Sequence, residues 1–548
     1  MISHHRAIRS THVDDCGRFG ATAMVVKQEL NKFEQQLSEH VAAGLRAIVD
    51  QVEVQGVCRS CASNSPERDT NETTSDESAT HPAGAPAQKD HHHKKHRHHH
   101  ITARKVFKAR PSLLTSLLES KHANALYNSA VGMLVLYIIF SGLSELIEHR
   151  RLSVRLDMIW WCFGDLHIAL SIWFGMFVST LAVFGVYQFW GTIERVPDKF
   201  EKSSLLALYL TYLAFHLYWP IKVLLDYDLP PACSYIVNCE QIRLFMKVHS
   251  FIRECYRRTL KWKASVCHKE DSVAHFDLPA DSTPVACPGF EKFWYFLWAP
   301  TLLYRDEYPR TAQTNWNLVA RHLLQGLGCI VCSSYIMTYC VQYRIQNFGP
   351  AQATLAHGVA WNLECAVPGS MLTLLLFWGL VHSWANMWCE LMRFADRHYY
   401  NDWWNSKRMA SYYRDWNLVV HEWLYEYIMR DVAGAVKGTR GKVAGTVTVF
   451  FVSAFFHEYS FITGFRLFCP AMFLLYFMCG PMLFFVSRLV RADRAWNIMM
   501  FAMLAFGNGL FLALYSREWY ARINCEPVYE GIWNYLIPLS WTCERLKS

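Results

Sequence analysis

His457 and Glu458 are adjacent ionisable residues within the largely apolar stretch from Val443 to Val486. An ionisable side chain at membrane depth is energetically expensive and indicates a functional site by default. Imidazole changes charge near neutral pH, and low-dielectric surroundings favour its neutral form, which can take a proton from an alcohol. The sequence therefore predicts His457 as a general base. The alternative is a histidine that only hydrogen-bonds a neighbouring helix.

Asn417 and His421 are four residues apart and share one face of a helix. They lie in segment 390–442, which is rich in Trp, Tyr, Asn and Arg. An amide such as that of Asn417 can donate a hydrogen bond to a developing oxyanion or hold a substrate carbonyl. The sequence has no G-x-S-x-G elbow, and its apolar part has no histidine cluster with catalytic-metal spacing. We therefore expect direct transfer between two bound substrates, with no metal and no cofactor.

The elements that must position these residues are apolar helices. The chain has 548 residues, of which 52% are hydrophobic and only 18% charged, whereas soluble domains have roughly 25% charged residues. A membrane-spanning helix needs about 20 mainly apolar residues. Seven runs contain no Asp, Glu, Lys or Arg: 122–144, 166–193, 203–221, 322–343, 365–389, 467–487 and 495–516. An eighth run, 443–457, continues past Glu458. The pattern excludes a soluble monomer and predicts an all-α polytopic membrane protein.

The first 121 residues differ in composition and form a predicted cytosolic arm, followed by a membrane-embedded domain over 122–548. Within the arm we predict a self-association helix at about 28–52; the alternative is an amphipathic helix lying on the membrane. A disordered stretch rich in His and basic residues is expected at about 62–110. Every residue of 91–100 is His, Lys or Arg, which favours a solvated basic patch beside an anionic membrane face over metal binding.

The orientation follows from flanking charge. A basic cluster precedes the first apolar run and favours a cytosolic N-terminus; it consists of Arg104, Lys105, Lys108, Arg110 and Lys121. Segment 228–316 reads as a long, charged loop. Three spans separate it from the N-terminus, so strict alternation would place this basic loop on the opposite side. The sequence alone leaves that conflict open.

Three separate elements of the chain resemble motifs of one known family. Residues 399–405, Tyr-Tyr-Asn-Asp-Trp-Trp-Asn, resemble a family F-Y-x-D-W-W-N motif, with Tyr399 in place of the usual Phe. Asn417 and His421 resemble a W-N-x-x-x-H element, and residues 457–459 an H-E-Y element. Together they resemble the membrane-bound O-acyltransferase (MBOAT) family. Segments 240–254, 295–311 and 515–522 are similar to the forms found in its sterol O-acyltransferase branch.

The resemblance implies an MBOAT fold with about nine transmembrane helices. The ninth would come from about 412–432, whose acidic residues interrupt any charge-free run. The resemblance also implies an endoplasmic-reticulum membrane location, a cytosolic N-terminus, a luminal C-terminus and a Cys525–Cys543 disulfide. It suggests a homodimer built through the membrane domain, or a homotetramer completed by the arm.

The activity that the resemblance implies is transfer of a fatty acyl group from acyl-CoA to the 3-hydroxyl of a sterol such as cholesterol. Acyl-CoA would be a substrate, so no cofactor is expected, and membrane lipids rather than nucleic acid would be the other partners. His457 would be the general base, and Asn417 and His421 would lie near the thioester. The remaining carried-over positions are His382 on the sterol side, Trp404 and Asn405 at the cytosolic mouth, and Arg414, Tyr413, Lys442 and Ser453 for CoA, whose phosphates suit Arg and Lys.

Alternatives remain at this stage. His382 could be a hydrogen-bonded core histidine. The same motifs fit acylation of diacylglycerol, and less well acylation of a protein or peptide. A different class is a proton-coupled transporter with His457 and Glu458 as a relay; it would need an internal repeat or charges spread over several spans, and the sequence shows neither.

Overall fold

The computed structural model describes residues 104–149, 156–268, 284–436, 438–490 and 492–547. Within these ranges the regular elements are helices, joined by turns and isolated bridges. We number the longer ones α1 (Lys121–His149), α2 (Asp157–Thr192), α3 (Lys199–Asp226), α4 (Pro231–Val266), α5 (Phe290–Trp298), α6 (Trp316–Ile345), α7 (Leu355–Met392), α8 (Met409–Asp415), α9 (418–435), α10 (Gly438–Phe465), α11 (Ala471–Val486) and α12 (Asp493–Asn524). The prediction of an all-α polytopic membrane protein is confirmed.

Six of these helices are long and apolar enough to cross a membrane: α1, α2, α3, α6, α7 and α12. Each contains one of the charge-free runs, and the run 467–487 forms the shorter apolar helix α11. Helix α10 contains the run 443–457, and α9 covers most of the predicted segment 412–432. Among the described residues, six helices thus qualify as spans and α11 is a shorter apolar helix, and the expected number of nine transmembrane helices stays a prediction.

Helices α7 and α12 pack against each other through small residues. A Cβ atom at Gly369 would lie 2.7 Å from the carbonyl oxygen of Asn508, and one at Gly509 would lie 2.8 Å from that of Asn362. Glycine at both positions lets the two backbones approach closely, which is how helices commonly pack within membranes.

The expectation of a long loop at 228–316 is wrong, because much of this segment is the 36-residue helix α4. Its buried cations have acceptors at the ends of other helices. Lys263 Nζ donates to the carbonyl of Trp190 at 2.7 Å, and Lys247 Nζ donates to that of Ala299 at 2.8 Å. Carbonyls at helix C-termini lack intrahelical partners and favour cations. Part of the charged segment, including Lys247 and Lys263, therefore lies inside the protein and not in a solvated loop.

Helix α4 also donates hydrogen bonds to α3 beside the proline in that helix. Pro220 lies inside α3 and has no N–H, so the carbonyl of His216 loses its partner four residues on. Gln241 Nε2 of α4 donates to that carbonyl at 2.8 Å and to the carbonyl of Leu217 at 3.0 Å. The Gln241 Oε1 atom accepts from Tyr459 Oη of α10 at 2.6 Å. One amide thus joins three helices, and α10 is the helix that carries His457.

Residues 104–112, which we call the strap, pack against the helices. Within the stretch expected to be disordered at 62–110, the end therefore differs from the prediction. The cause is charge pairing: Arg104 binds Glu254 and Glu426 at 2.7 and 3.1 Å, and Lys105 binds Glu422 at 2.7 Å. The predicted helix at 28–52 and the basic run 91–100 lie outside the described residues.

Candidate functional site

The ring of His457 is held on two sides within α10. Its Nδ1 atom lies 2.7 Å from the backbone carbonyl oxygen of Ser453. Because a carbonyl can only accept, Nδ1 of the neutral ring carries the proton and Nε2 keeps the lone pair. The ring stacks on Tyr476 of α11 with centroids 4.5 Å apart and planes at 27°. The side chain is half-buried, so a fixed proton acceptor is presented where a substrate could meet it.

Glu458 has a different role from its neighbour. Its buried carboxylate accepts from the backbone N–H of Phe473 at 2.9 Å and from Tyr515 Oη at 3.0 Å. Phe473 lies in the first turn of α11, whose N–H groups have no intrahelical partners. Glu458 therefore caps α11 and ties it to α12. Since α11 carries Tyr476, this cap fixes the ring on which His457 stacks.

Asn417 begins helix α9. Its Oδ1 accepts from the N–H of Val420 at 3.2 Å, the usual bond of an N-cap asparagine. The first N–H of the helix, that of Leu418, donates to the carbonyl of Tyr399 at 2.8 Å. The backbone of Asn401 likewise donates to the carbonyl of Asp415 at 2.9 Å. The aromatic motif 399–405 thus positions the start of α9 and leaves the Nδ2 hydrogens of Asn417 for a ligand.

His421 lies one turn further along α9 and is half-buried beside Tyr425. Apolar side chains join α9 to α10 near His457: Val420 shares a cluster with Val449 and Val452. Among the described residues, the structure gives no hydrogen bond from Asn417 or His421 to His457. The three side chains therefore belong to two packed neighbouring helices without touching through polar atoms.

The predicted CoA contacts divide by exposure. Arg414 is exposed and pairs with the buried Asp415 at 3.0 Å, and Lys442 is also exposed. Tyr413 is half-buried against Phe450, with ring centroids 5.4 Å apart. Ser453 contributes its carbonyl to His457, as described above. The two cations thus lie on the surface, and the tyrosine and serine lie within the packed helices.

Trp404 and Asn405 form a short helical turn at one end of the helices. The carbonyl of Trp404 accepts from Asn497 Nδ2 of α12 at 2.8 Å, and its ring packs edge-on against Trp403 at 5.6 Å. Asn405 is exposed. This placement at a surface agrees with residues that shape an entrance.

His382 is buried in a polar cluster. Its Nδ1 lies 2.6 Å from Tyr400 Oη, which lies 2.8 Å from Ser112 Oγ of the strap. The ring packs edge-on against His322 with centroids 5.4 Å apart. This surrounding favours the hydrogen-bonded core histidine that the sequence left as the alternative. His382 also lies in the π-helical turn Phe377–Trp384, a distortion often found at functional sites.

The strap is the part of the site that sequence reasoning missed. Its basic residues precede the first span, and the sequence analysis used them only to predict the orientation of the chain in the membrane. In the structure, Arg110 Nε binds the buried Asp396 at 2.6 Å and its backbone bridges the chain at Asp396. Lys105 binds Glu422, the residue after His421. An unusual number of acids in the facing segments was the one available signal.

Outside the spans, burial and ion pairing shift the pKa of two side chains. Burial lowers the pKa of His398, whose Nε2 lies 2.7 Å from Asn401 Oδ1. Burial alone would raise the pKa of Asp306, but the hydrogen bonds and the charge of Arg258 outweigh it and lower that pKa below its ordinary value. The guanidinium binds both carboxylate oxygens, at 3.0 and 2.6 Å.

Cys525 and Cys543 are joined by a disulfide, with their Cα atoms 5.6 Å apart. The bond closes the tail that follows α12. Glu518 of α12 holds the same tail by accepting from the N–H groups of Leu539 and Ser540 at 3.1 and 3.0 Å. In the ranges that the structure describes, no group of three or more His, Cys, Asp and Glu side chains could hold a metal ion.

Comparison with known proteins gives a consistent result. The family model of the membrane-bound O-acyltransferases matches residues 204–517. Sterol O-acyltransferase 2 of Homo sapiens is 34% identical over 441 residues, which cover 80% of each chain. Sterol O-acyltransferase 1 of Cricetulus griseus is 35% identical over 450 residues, covering 80% of this chain and 78% of the relative. Sterol O-acyltransferase 1 of Mus musculus is 35% identical over 449 residues, with 80% and 79% covered.

Proposed function

The chain belongs to the membrane-bound O-acyltransferase family, and from this membership we propose that it transfers a fatty acyl group from acyl-CoA to the 3-hydroxyl of a sterol. The product would be a steryl ester, with cholesterol or a related sterol as acceptor. The sterol specificity is supported by the relatives named sterol O-acyltransferase, each similar over four fifths of this chain. The chemistry is supported above all by one observation: His457 has a fixed neutral tautomer whose Nε2 is left as proton acceptor.

In the proposed reaction, Nε2 of His457 takes the proton of the sterol hydroxyl while the hydroxyl oxygen attacks the thioester carbonyl carbon. A carbon–oxygen bond forms and the carbonyl electrons move to the oxygen. When the carbonyl re-forms, the carbon–sulfur bond breaks, and the imidazolium gives its proton to the CoA thiolate. The products are steryl ester and CoA, and atoms and charge balance without a cofactor.

Asn417 would stabilise the negative charge that develops on the thioester oxygen. Its Oδ1 is occupied by the N-cap bond, so its Nδ2 hydrogens are the groups available to donate to that oxygen. His421, one turn along the same helix, would lie beside the pantetheine arm. The exposed cations Arg414 and Lys442 would bind the CoA phosphates, with Tyr413 and Ser453 further in, and Trp404 and Asn405 at the entrance. His382 would contribute to the sterol side through the cluster it forms with Tyr400.

The test uses microsomes from cells that make no steryl ester of their own. They receive labelled oleoyl-CoA together with cholesterol and diacylglycerol, and the neutral lipids are separated by thin-layer chromatography. We expect steryl ester as the main labelled product. Triacylglycerol with no steryl ester would replace the proposed acceptor by diacylglycerol.

A second variant tests the base itself. His457→Ala should lower ester synthesis by about 10²- to 10⁴-fold, the range for a positioned general base, at unchanged protein abundance. His167→Ala, which removes an exposed histidine of α2, is the matched control and should be as active as the wild type. Normal synthesis by the His457 variant would show that the general base lies elsewhere, whereas a wild type that makes no lipid ester would favour a transporter without acyltransferase chemistry.

The protein is a multi-pass membrane protein, and we propose the endoplasmic-reticulum membrane as its location, with the N-terminus cytosolic and the C-terminus luminal. Disulfides persist in oxidising compartments, so the Cys525–Cys543 bond supports a luminal tail. We further propose a homodimer or homotetramer, with the predicted helix at 28–52 contributing to self-association. Protease protection of tags at the two termini tests the orientation.

A further inference from the structure

A cavity of about 440 Å³ lies where three candidate spans, α6, α7 and α12, end together. Its walls include Arg344 at the end of α6, His357 and Trp361 near the start of α7, and Arg517 near the end of α12. None of the candidate catalytic residues lines it. The cavity is therefore separate from the site proposed for acyl transfer.

Arg517 gives this cavity its chemical character. Its side chain is only 7% exposed, and one guanidinium nitrogen donates to the carbonyl of Gln352 at 2.9 Å. In the described part of the chain, no carboxylate pairs with it. The adjacent Glu518 instead accepts from backbone groups of the tail. A guanidinium has five N–H donors, so Arg517 keeps donors for a ligand in the cavity.

The chain leaves room for this guanidinium. A Cβ atom at position 358 would lie 2.1 Å from NH1 of Arg517, so the glycine there makes the space that the guanidinium fills. A buried cation without an anion is costly, and Arg258, the other arginine buried among the described residues, pairs with Asp306. The ammonium groups of the buried Lys247 and Lys263 are satisfied by carbonyls, but Arg517 lines a cavity with room for a ligand. The partner expected there is an anion bound from outside the chain.

Two further features of the cavity agree with an anion. The N-terminus of α7 lies at its wall, and the positive end of a helix dipole favours negative charge. The remaining opposite charges on the wall, Arg344 and Glu364, pair with each other at 3.0 Å, and at least half of each side chain is exposed. The buried charge of the cavity is thus that of Arg517.

The position of the cavity favours a lipid as the source of the anion. The ends of three spans mark the level of the lipid headgroups. Beside the cavity, α7 exposes an apolar stripe formed by Val359, Leu363 and Val367, at steps of four residues on one side of the helix. We propose that the cavity binds the phosphate of an anionic phospholipid through Arg517, with the acyl chains lying along this stripe. A soluble phosphate shares the headgroup chemistry but would leave the stripe unused.

The test is native mass spectrometry of the purified full-length protein, delipidated in detergent and then given dioleoyl phosphatidylglycerol. Losing charge-assisted hydrogen bonds to the phosphate should weaken binding of one lipid per chain by about ten- to a hundredfold in Arg517→Gln. Arg517→Lys, which keeps the charge, should bind more tightly than Arg517→Gln. Arg545→Gln removes an exposed cation from the tail at the same end of the helices and should bind like the wild type.

Two added ligands test whether the bound anion is a lipid headgroup or a soluble phosphate. Inorganic phosphate at the same concentration should not displace the lipid, and dioleoyl phosphatidylcholine, which has no net charge, should bind more weakly than phosphatidylglycerol. If Arg517→Gln does not fold, Gly358→Ala, whose methyl group displaces NH1, takes its place and should also weaken binding. Equal lipid retention by wild type and variant, or displacement by phosphate alone, would overturn the proposal. Because the experiment measures lipid binding and not acyl transfer, its result is independent of the proposed function.

Discussion

Replacing Glu458 separates a structural role for this residue from a chemical one. In Glu458→Gln, Oε1 of the amide can accept from the N–H of Phe473, and its Nε2 can donate to Tyr515 Oη. The single proton of the Tyr515 hydroxyl can then go to the carbonyl of Cys469, whose oxygen lies 2.9 Å away. Every partner of the carboxylate is therefore satisfied in the amide, and only the charge is lost. Such a charge at a helix N-terminus contributes about 0.3–1 kcal/mol.

Glu458→Ala differs, because it leaves the buried N–H of Phe473 without an acceptor, which costs about 1–3 kcal/mol. Adding the lost charge at the helix N-terminus and the volume of the side chain, we expect a destabilisation of about 2–4 kcal/mol. The helix α11 would be less firmly held, and Tyr476 would no longer support His457 in one position.

The measurements are the apparent melting temperature, by fluorescence-detected size-exclusion chromatography, and steryl-ester synthesis in microsomes. We expect Glu458→Gln to melt close to the wild type and to keep activity within about tenfold, a difference of 1.4 kcal/mol in the barrier. Glu458→Ala should melt lower and lose more activity. A Gln variant that is stable but inactive by 10²-fold or more would refute the capping role and indicate that the charge itself takes part in catalysis.

Three further predictions follow from the contacts described. Asp306→Asn should destabilise the protein by about 2–4 kcal/mol by leaving Arg258 without its acid. Because the pKa of Asp306 is lowered in the fold, the pair stabilises the protein above the ordinary carboxyl pKa, and this contribution is lost as the pH falls through the lower folded value. As the pH falls below the ordinary carboxyl pKa, the melting temperature of the wild type should therefore drop more than that of the variant, and parallel curves would contradict this. Gln241→Leu should destabilise by about 1–3 kcal/mol by orphaning carbonyls of α3. Pro220→Ala restores an N–H there and should recover part of the loss in the double variant, whereas additive losses would argue against the missing N–H of Pro220 as the cause. Deleting residues 1–60 should lower the oligomer order seen by cross-linking while the membrane domain stays folded, and an unchanged pattern would remove the arm from self-association.

The apolar helices could be predicted because a membrane imposes length and composition on each span independently. The runs without charge fall within helices for this reason. Helix α4 could not be predicted, because charged residues in a sequence suggest a segment exposed to solvent. Lys247 and Lys263 are buried because carbonyls from distant helix ends accept from them, and no local pattern reports such partners.

The candidate site shows the same division. His457 could be identified from the sequence because an ionisable side chain in an apolar run is energetically expensive. The structure adds the tautomer of its ring, which the hydrogen bond to the Ser453 carbonyl fixes. The role of Glu458 was not identifiable, since the N–H it caps belongs to the next helix. Asn417 was expected to meet a substrate; its N-cap bond to Val420 shows that it also starts a helix. The spacing of residues along the sequence predicts which of them share a helix face, but it does not predict the hydrogen-bond partner of each polar atom.

The strap has a consequence for biogenesis. Arg104 leaves the ribosome long before its partner Glu426, which is 322 residues further along the chain. At a synthesis rate of about 5–20 residues per second, the two can meet only about 15–65 s later. Until then Glu426 has Arg430 as its ion-pair partner and Glu254 has Arg305, so the strap adds its ion pairs to α9 only after that helix has been made. A fusion that holds the N-terminal arm away from the membrane domain during translation would consequently leave the helices assembled without the ion pairs of the strap.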